Sequence, residues 1–158
     1  MKHAIKKGLG FGLTSGIITT LGLIVGLHAG TNSKIVILGG ILVIAIADAF
    51  SDSLGVHIAE EAGNKNASEK EIWESTFFTF FFKIIFAASF IIPIWFLELQ
   101  TAIITSIIWG MFLLTVFTYH VSRWRKISPI KPIIEHLSIA ILVIVLTHFI
   151  GDWVAVLG

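Results

Sequence analysis

The chain has no cysteine among its 158 residues. That removes disulfides, thiolate metal sites and cysteine nucleophiles at once, and says nothing of the redox state of its compartment. Met1 and Met111 are the only thioethers, so a bound metal has to be held by oxygen or imidazole. Charge is scarce as well: 13% of the residues are Asp, Glu, Lys or Arg, and the formal net charge is +1. Such a balance offers nothing to a nucleic-acid backbone. The HExxH, GxSxG and P-loop patterns are also missing from the sequence, so it reads as a non-enzyme without a prosthetic group.

What is abundant is apolar surface. Hydrophobic residues make up 56% of the chain and the mean hydropathy is +0.93, which is the composition of an integral membrane protein. A helix crossing a bilayer needs about 20 mostly apolar residues. Five stretches meet that need, at 8–28, 34–59, 76–97, 101–121 and 133–157. The expected fold is therefore all-α, a polytopic membrane protein with five transmembrane helices forming a single domain over residues 1–158. The basic start MKHAIKKGLGFGL raises the alternative of a signal peptide, but the long, Gly-, Ser- and Thr-studded run after it reads as a span. The largest polar insert is 60–74, where Ser68 and Glu71 have the spacing of a capping box that opens the third helix.

With five spans, one side of the membrane receives Lys2, Lys6, Lys7, Lys65, Lys70, Arg123, Arg125, Lys126 and Lys131, and the other receives Lys34 alone. The positive-inside rule then puts the N-terminus in the cytoplasm and the C-terminus outside, with the cell membrane as the expected location. Trp73, Trp95, Trp124 and Trp153 fall near span ends, where their rings favour the headgroup region, and Trp109 does not.

Two helices carry small residues at four-residue spacing: Gly12 and Gly16, then Gly22, Gly26 and Gly30, in the first, and Ala47, Ser51, Gly55 and Ala59 in the second. This spacing lets backbones approach closely in lipid, and it suggests a homodimer. Beside the second ladder lie Asp48 and Asp52, one turn apart on one helix face near mid-membrane. Ionised carboxylates at that depth cost several kcal/mol on the lenient insertion scale, roughly 3 kcal/mol each, so something must offset them. The candidates are a divalent cation, a proton, or Lys83 in the third span, whose ammonium either pairs with Asp52 or snorkels to the headgroups. Glu60, Glu61, Glu71 and Glu74 at the cytoplasmic mouth could collect cations or form a solvated charged loop. His57 lies on the opposite side of its helix from Asp48, and His148 with Asp152 has the spacing of a local pair.

The stretches GLTSGIITTLGLIVGLHAG and ILGGILVIAIADAFSDSLGVHIAEEAG together resemble the vacuolar iron transporter family, in its Gly-rich first helix and its second helix ending in a small-residue run before acidic residues. The resemblance implies a homodimeric, proton-coupled exporter of iron or manganese, with Fe²⁺ or Mn²⁺ as cargo and the first two helices lining the path. It also marks departures. Ser15 stands where the family usually has an Asp before the Gly of the first-helix motif, Asp52 where a Met is often found, and an apolar residue near Ile44 where there is a Glu; the large cytoplasmic insert is reduced to 60–74. On this reading the acidic ligands are Asp48 and Asp52 on one helix, with hydroxyls from Ser15 and Thr19 opposite. The competing readings are a proton-coupled carrier of a small solute and a non-transporting scaffold built on an Asp52–Lys83 pair.

Overall fold

The computed structural model describes residues 2–63 and 67–157, with side chains from residue 4 onward; Lys65, one of the cations counted above, lies outside them. The elements are α1 (Lys2–Thr31), α2 (Lys34–Gly63), α3 (Glu69–Ser89), α4 (Ile91–Phe96), α5 (Leu99–Trp124) and α6 (Ile130–Ala155). Five helical segments are long and apolar enough to cross a membrane, with α3 and α4 acting as one, Glu69–Phe96. The protein is an all-α, multi-pass membrane protein. At 1.5 Å per residue, α1 and α2 are each about 45 Å long, enough to cross the hydrocarbon and both headgroup layers.

Local chemistry sets the helix ends. Asn32, at φ 46°, supplies the left-handed residue of the short α1–α2 turn. The Ser68 hydroxyl accepts from the Glu71 N–H and the Glu71 carboxylate accepts from the Ser68 N–H, so the expected capping box opens α3. The break at Phe90 follows from Pro93, which has no N–H to give to the Ser89 carbonyl. Ser89 instead donates its hydroxyl to the Phe86 carbonyl, 2.7 Å, and accepts from Trp109 Nε1, 3.1 Å, which accounts for a tryptophan away from a span end. Lys34 Nζ donates to the carbonyls of Trp95 and Leu97, both at 2.9 Å, and so satisfies the C-terminal end of α4.

These contacts also sort the two ends of the bundle. Lys34 ties the α1–α2 turn to the α4–α5 turn. At the other end Lys7 pairs with Glu60, and Lys6 lies 5.0 Å over the Trp124 ring, which gathers the beginning of α1, the end of α2 and the end of α5.

Helix α1 is the centre of the bundle. It is the most enclosed of the five spans and α6 the least; α6 rests on the core through Leu137, Ala140 and Ile144 and turns most of its other apolar side chains outward. The α1 glycines serve two different neighbours. A Cβ on Gly12 would stand 2.8 Å from the Thr79 carbonyl oxygen and 2.9 Å from the Lys83 backbone nitrogen, both on α3. One on Gly26 would stand 3.3 Å from the Thr147 carbonyl oxygen, on α6. The ladder assigned to a dimer partner from sequence is thus occupied within the chain, because backbone-to-backbone contact in lipid is what glycine permits and both partners are at hand.

Gly12→Ala is therefore expected to lower thermal stability by about 1–3 kcal/mol through overpacking against α3. Gly39, with open space around its Cα, should tolerate alanine or gain up to about 1 kcal/mol from helix propensity. Thermal unfolding of the two variants in detergent measures both, and equal stabilities would refute the α1–α3 contact.

Candidate functional site

Four side chains from three helices converge beside the Gly12–Gly16 track. Helix α3 buries Ile72, Ser75, Thr79, Lys83 and Ala87 along one stripe. Apart from Ile72 these are small or polar, in a segment otherwise dominated by phenylalanine. The stripe lies against α1, where Gly12 and Gly16 let the α3 backbone come close. Lys83 thereby loses solvent almost entirely, with its side chain 1% exposed. The headgroup-snorkelling alternative for Lys83 is excluded, since a snorkelling ammonium has to reach water.

From this enclosed position the ammonium crosses to α2 and meets both carboxylates. Lys83 Nζ forms ion pairs with Asp48 Oδ2 and Asp52 Oδ2. It also donates to Ser15 Oγ of α1 at 2.7 Å, while the Ser15 hydroxyl donates to Asp52 Oδ2 at 2.6 Å. The ammonium hydrogen-bonds to Ser15 Oγ and Asp52 Oδ2, while Asp48 Oδ2, buried and without a hydrogen-bond partner, meets it as an ion pair. The pairing goes beyond an Asp52–Lys83 couple, because Asp48 is included. The carboxylates are less enclosed than the lysine, at 27% for Asp48 and 20% for Asp52. The lysine is sealed within the cluster, and the two carboxylates keep partial exposure.

The other candidate ligands stand apart. Thr19 lies one turn from Ser15 and donates to its backbone carbonyl at 2.7 Å; its side chain borders a groove with Gly22, Gly26 and Thr147. Glu60 is held by Lys7. Glu61 lies 3.5 Å from His57 Nε2, and the other nitrogen of that ring is 3.0 Å from Thr76 Oγ1. Glu71 is engaged in the capping box, and Glu74 borders a hollow with Lys70, Trp73 and Phe77. His148 and Asp152 are 3.4 Å apart, both about half exposed. Among the described residues no group of three or more His, Cys, Asp or Glu side chains gathers around one point. One copy of the chain brings two carboxylates and a hydroxyl together, and nothing else of the expected set.

A family model for the VIT family matches residues 52–152. The chain belongs to the VIT family. The match begins at Asp52 and includes Lys83, so the ammonium and one of its carboxylates fall within it. No curated protein matches the chain significantly. Membership of the VIT family points to transport of metal ions across a membrane, and the five apolar helices agree with it.

Sequence reasoning gave Asp48, Asp52 and Ser15 as a group but left Lys83 undecided. The signal that fixes Lys83 is the four-residue stripe of Ser75, Thr79, Lys83 and Ala87, matched by Gly8, Gly12 and Gly16 on α1.

Ser15→Ala removes the hydroxyl that bridges Asp52 and Lys83, and is expected to cost about 1–3 kcal/mol, as for hydrogen bonds to charged groups. Ser15→Thr, which keeps the hydroxyl, should cost less. Urea or thermal unfolding of both variants in detergent tests the bridge, and an unaffected alanine variant would remove Ser15 from the cluster.

Proposed function

We propose that this VIT-family protein exports a divalent metal ion, Fe²⁺ or Mn²⁺, from the cytoplasm in exchange for protons, as a homodimer whose paths run beside α1 and α2. The observation that carries the proposal is the Asp48–Asp52 pair, two partly exposed carboxylates with the Ser15 hydroxyl of α1 bonded to one of them. Oxygen donors suit a hard or borderline dication. Two carboxylates against one ammonium leave one formal negative charge, a balance that suits exchange of a dication for protons.

The dimer rests on α2. Ala47, Ser51, Gly55 and Ala59 are all exposed within the single chain, and a Cβ on Gly55 would meet nothing within 4 Å. This ladder adjoins the carboxylates, and a second copy packed there would bring up to four carboxylates together, completing a coordination shell that one chain lacks. The cytoplasmic side is taken to be the Lys7–Glu60 end, by cation count. Glu60, Glu61, Glu71 and Glu74 line that end as an acidic approach, and Thr19 supplies a further hydroxyl one turn beyond Ser15.

Asp48→Asn and Asp52→Asn should each abolish stabilisation by Mn²⁺ and transport into proteoliposomes, while leaving folded protein. Ligand that binds only the native state raises stability by about 2.7 kcal/mol at 100 times its Kd, a shift that thermal unfolding resolves. Retention of Mn²⁺-dependent stabilisation by both variants would falsify the site.

Gly55→Leu should weaken self-association in detergent, whereas Gly26→Leu, facing α6, should act on folding instead. Cysteines placed at Lys70 and at Gln100 should react from opposite sides of the membrane; labelling from one side overturns the topology.

A further inference from the structure

We infer that the Lys83 ammonium is a tethered occupant of the cation position, which the transported dication has to displace in order to bind. The inference rests on the proposed Asp48–Asp52 site and concerns how that site is kept when no metal is present.

Three observations support it. The oxygens around the ammonium are the two carboxylates and the hydroxyl that the site offers to a metal: Asp48 Oδ2, Asp52 Oδ2 and Ser15 Oγ. Their chemistry is that of a hard-cation donor set, and the ammonium donates to two of them and pairs by charge with the third. Second, Lys83 has no solvent route of retreat in this state, being 1% exposed and backed by the Gly12 and Gly16 contacts, whereas both carboxylates keep an open side. The lysine reaches the carboxylates from α3, and their remaining exposure is where a second cation would approach. Third, Lys83 is the one basic side chain reaching the carboxylates among the described residues. Two buried carboxylates with no cation nearby would be strongly unfavourable.

The two cations exclude each other. A dication on Oδ2 of either aspartate takes the lone pairs that the ammonium uses. One placed on the Oδ1 atoms faces the ammonium across the width of a carboxylate, where like charges repel in a poorly screened medium. Apparent affinity for metal is therefore the intrinsic affinity scaled down by the fraction of time the oxygens are free of Lys83. The tether lowers affinity, and in return gives the emptied site a cation of its own.

The test is a Mn²⁺ titration of the purified full-length chain in detergent, with free Mn²⁺ read by electron paramagnetic resonance. Lys83→Gln keeps a polar side chain but carries no charge, and is expected to bind Mn²⁺ about tenfold more tightly or better, with a lower melting temperature that Mn²⁺ restores. Lys83→Arg places a planar, doubly bonding cation on the same carboxylates and should weaken Mn²⁺ binding by about tenfold or more. Wild-type binding with an unchanged or weaker Lys83→Gln overturns the tether and leaves the metal site standing. If Lys83→Gln does not fold, the arginine variant decides, and wild-type affinity in folded Lys83→Arg overturns the tether equally. Absence of binding in both the wild type and Lys83→Gln overturns the metal site itself, and the tether with it.

Discussion

The structure depends on one close approach, that of α1 and α3 along Gly12 and Gly16. It places an ammonium with 1% exposure where only oxygen atoms can satisfy it. A buried cation without partners is among the most unfavourable features a membrane helix can carry. Lys83 is tolerated because it donates to Asp52 and Ser15 and pairs by charge with both aspartates. The same argument runs in reverse for the aspartates, which would otherwise be two like charges on adjacent turns of one helix. Each helix thus carries something unstable alone, and α1 contributes the small surface that lets the parts meet.

The division of labour within α1 explains the bundle's asymmetry. Its first half gives glycines to α3 and its second half gives glycines to α6, so it becomes the enclosed helix while α6 covers the outside. Helix α2 touches this core through a stripe that includes Ile37, Ile41, Ala45, Ala49 and Ser53 and turns its own small ladder outward. Asp48 and Asp52 lie between these two faces, at 27% and 20% exposure. On the proposed reading, that placement lets the same carboxylates stabilise a fold and meet a mobile ion.

Much of this was legible from residue order. Apolar length located the spans, Ser68 with Glu71 located the start of α3, and the spacing of Asp48 and Asp52 placed both on one face. Other features were not, and the reasons are physical. A glycine ladder announces close contact but not with which helix, since α3, α6 and a second copy all satisfy the same steric requirement. Trp109 reads as misplaced until the Ser89 hydroxyl, on a neighbouring helix, is there to accept its N–H. The reach of Lys83 to Asp48 needs the distance between two helices, which no periodicity within one helix contains. Its inward orientation, by contrast, was written in the four-residue stripe Ser75, Thr79, Lys83 and Ala87, small or polar positions set among phenylalanines.

The side from which each charge enters carries a functional consequence. An ammonium further from α2 would leave both carboxylates without a cation partner. Anchored on α3, Lys83 offsets one of the two carboxylate charges while its backbone is held against Gly12 and Gly16, and its ammonium sits on a flexible four-carbon stem. A guanidinium could not yield so easily, because its planar fork holds carboxylates in paired, directional bonds. The choice of lysine over arginine therefore fits the proposed exchange, in which the internal cation has to let go, and the enclosing glycines fit a geometry that has to be the same when it returns.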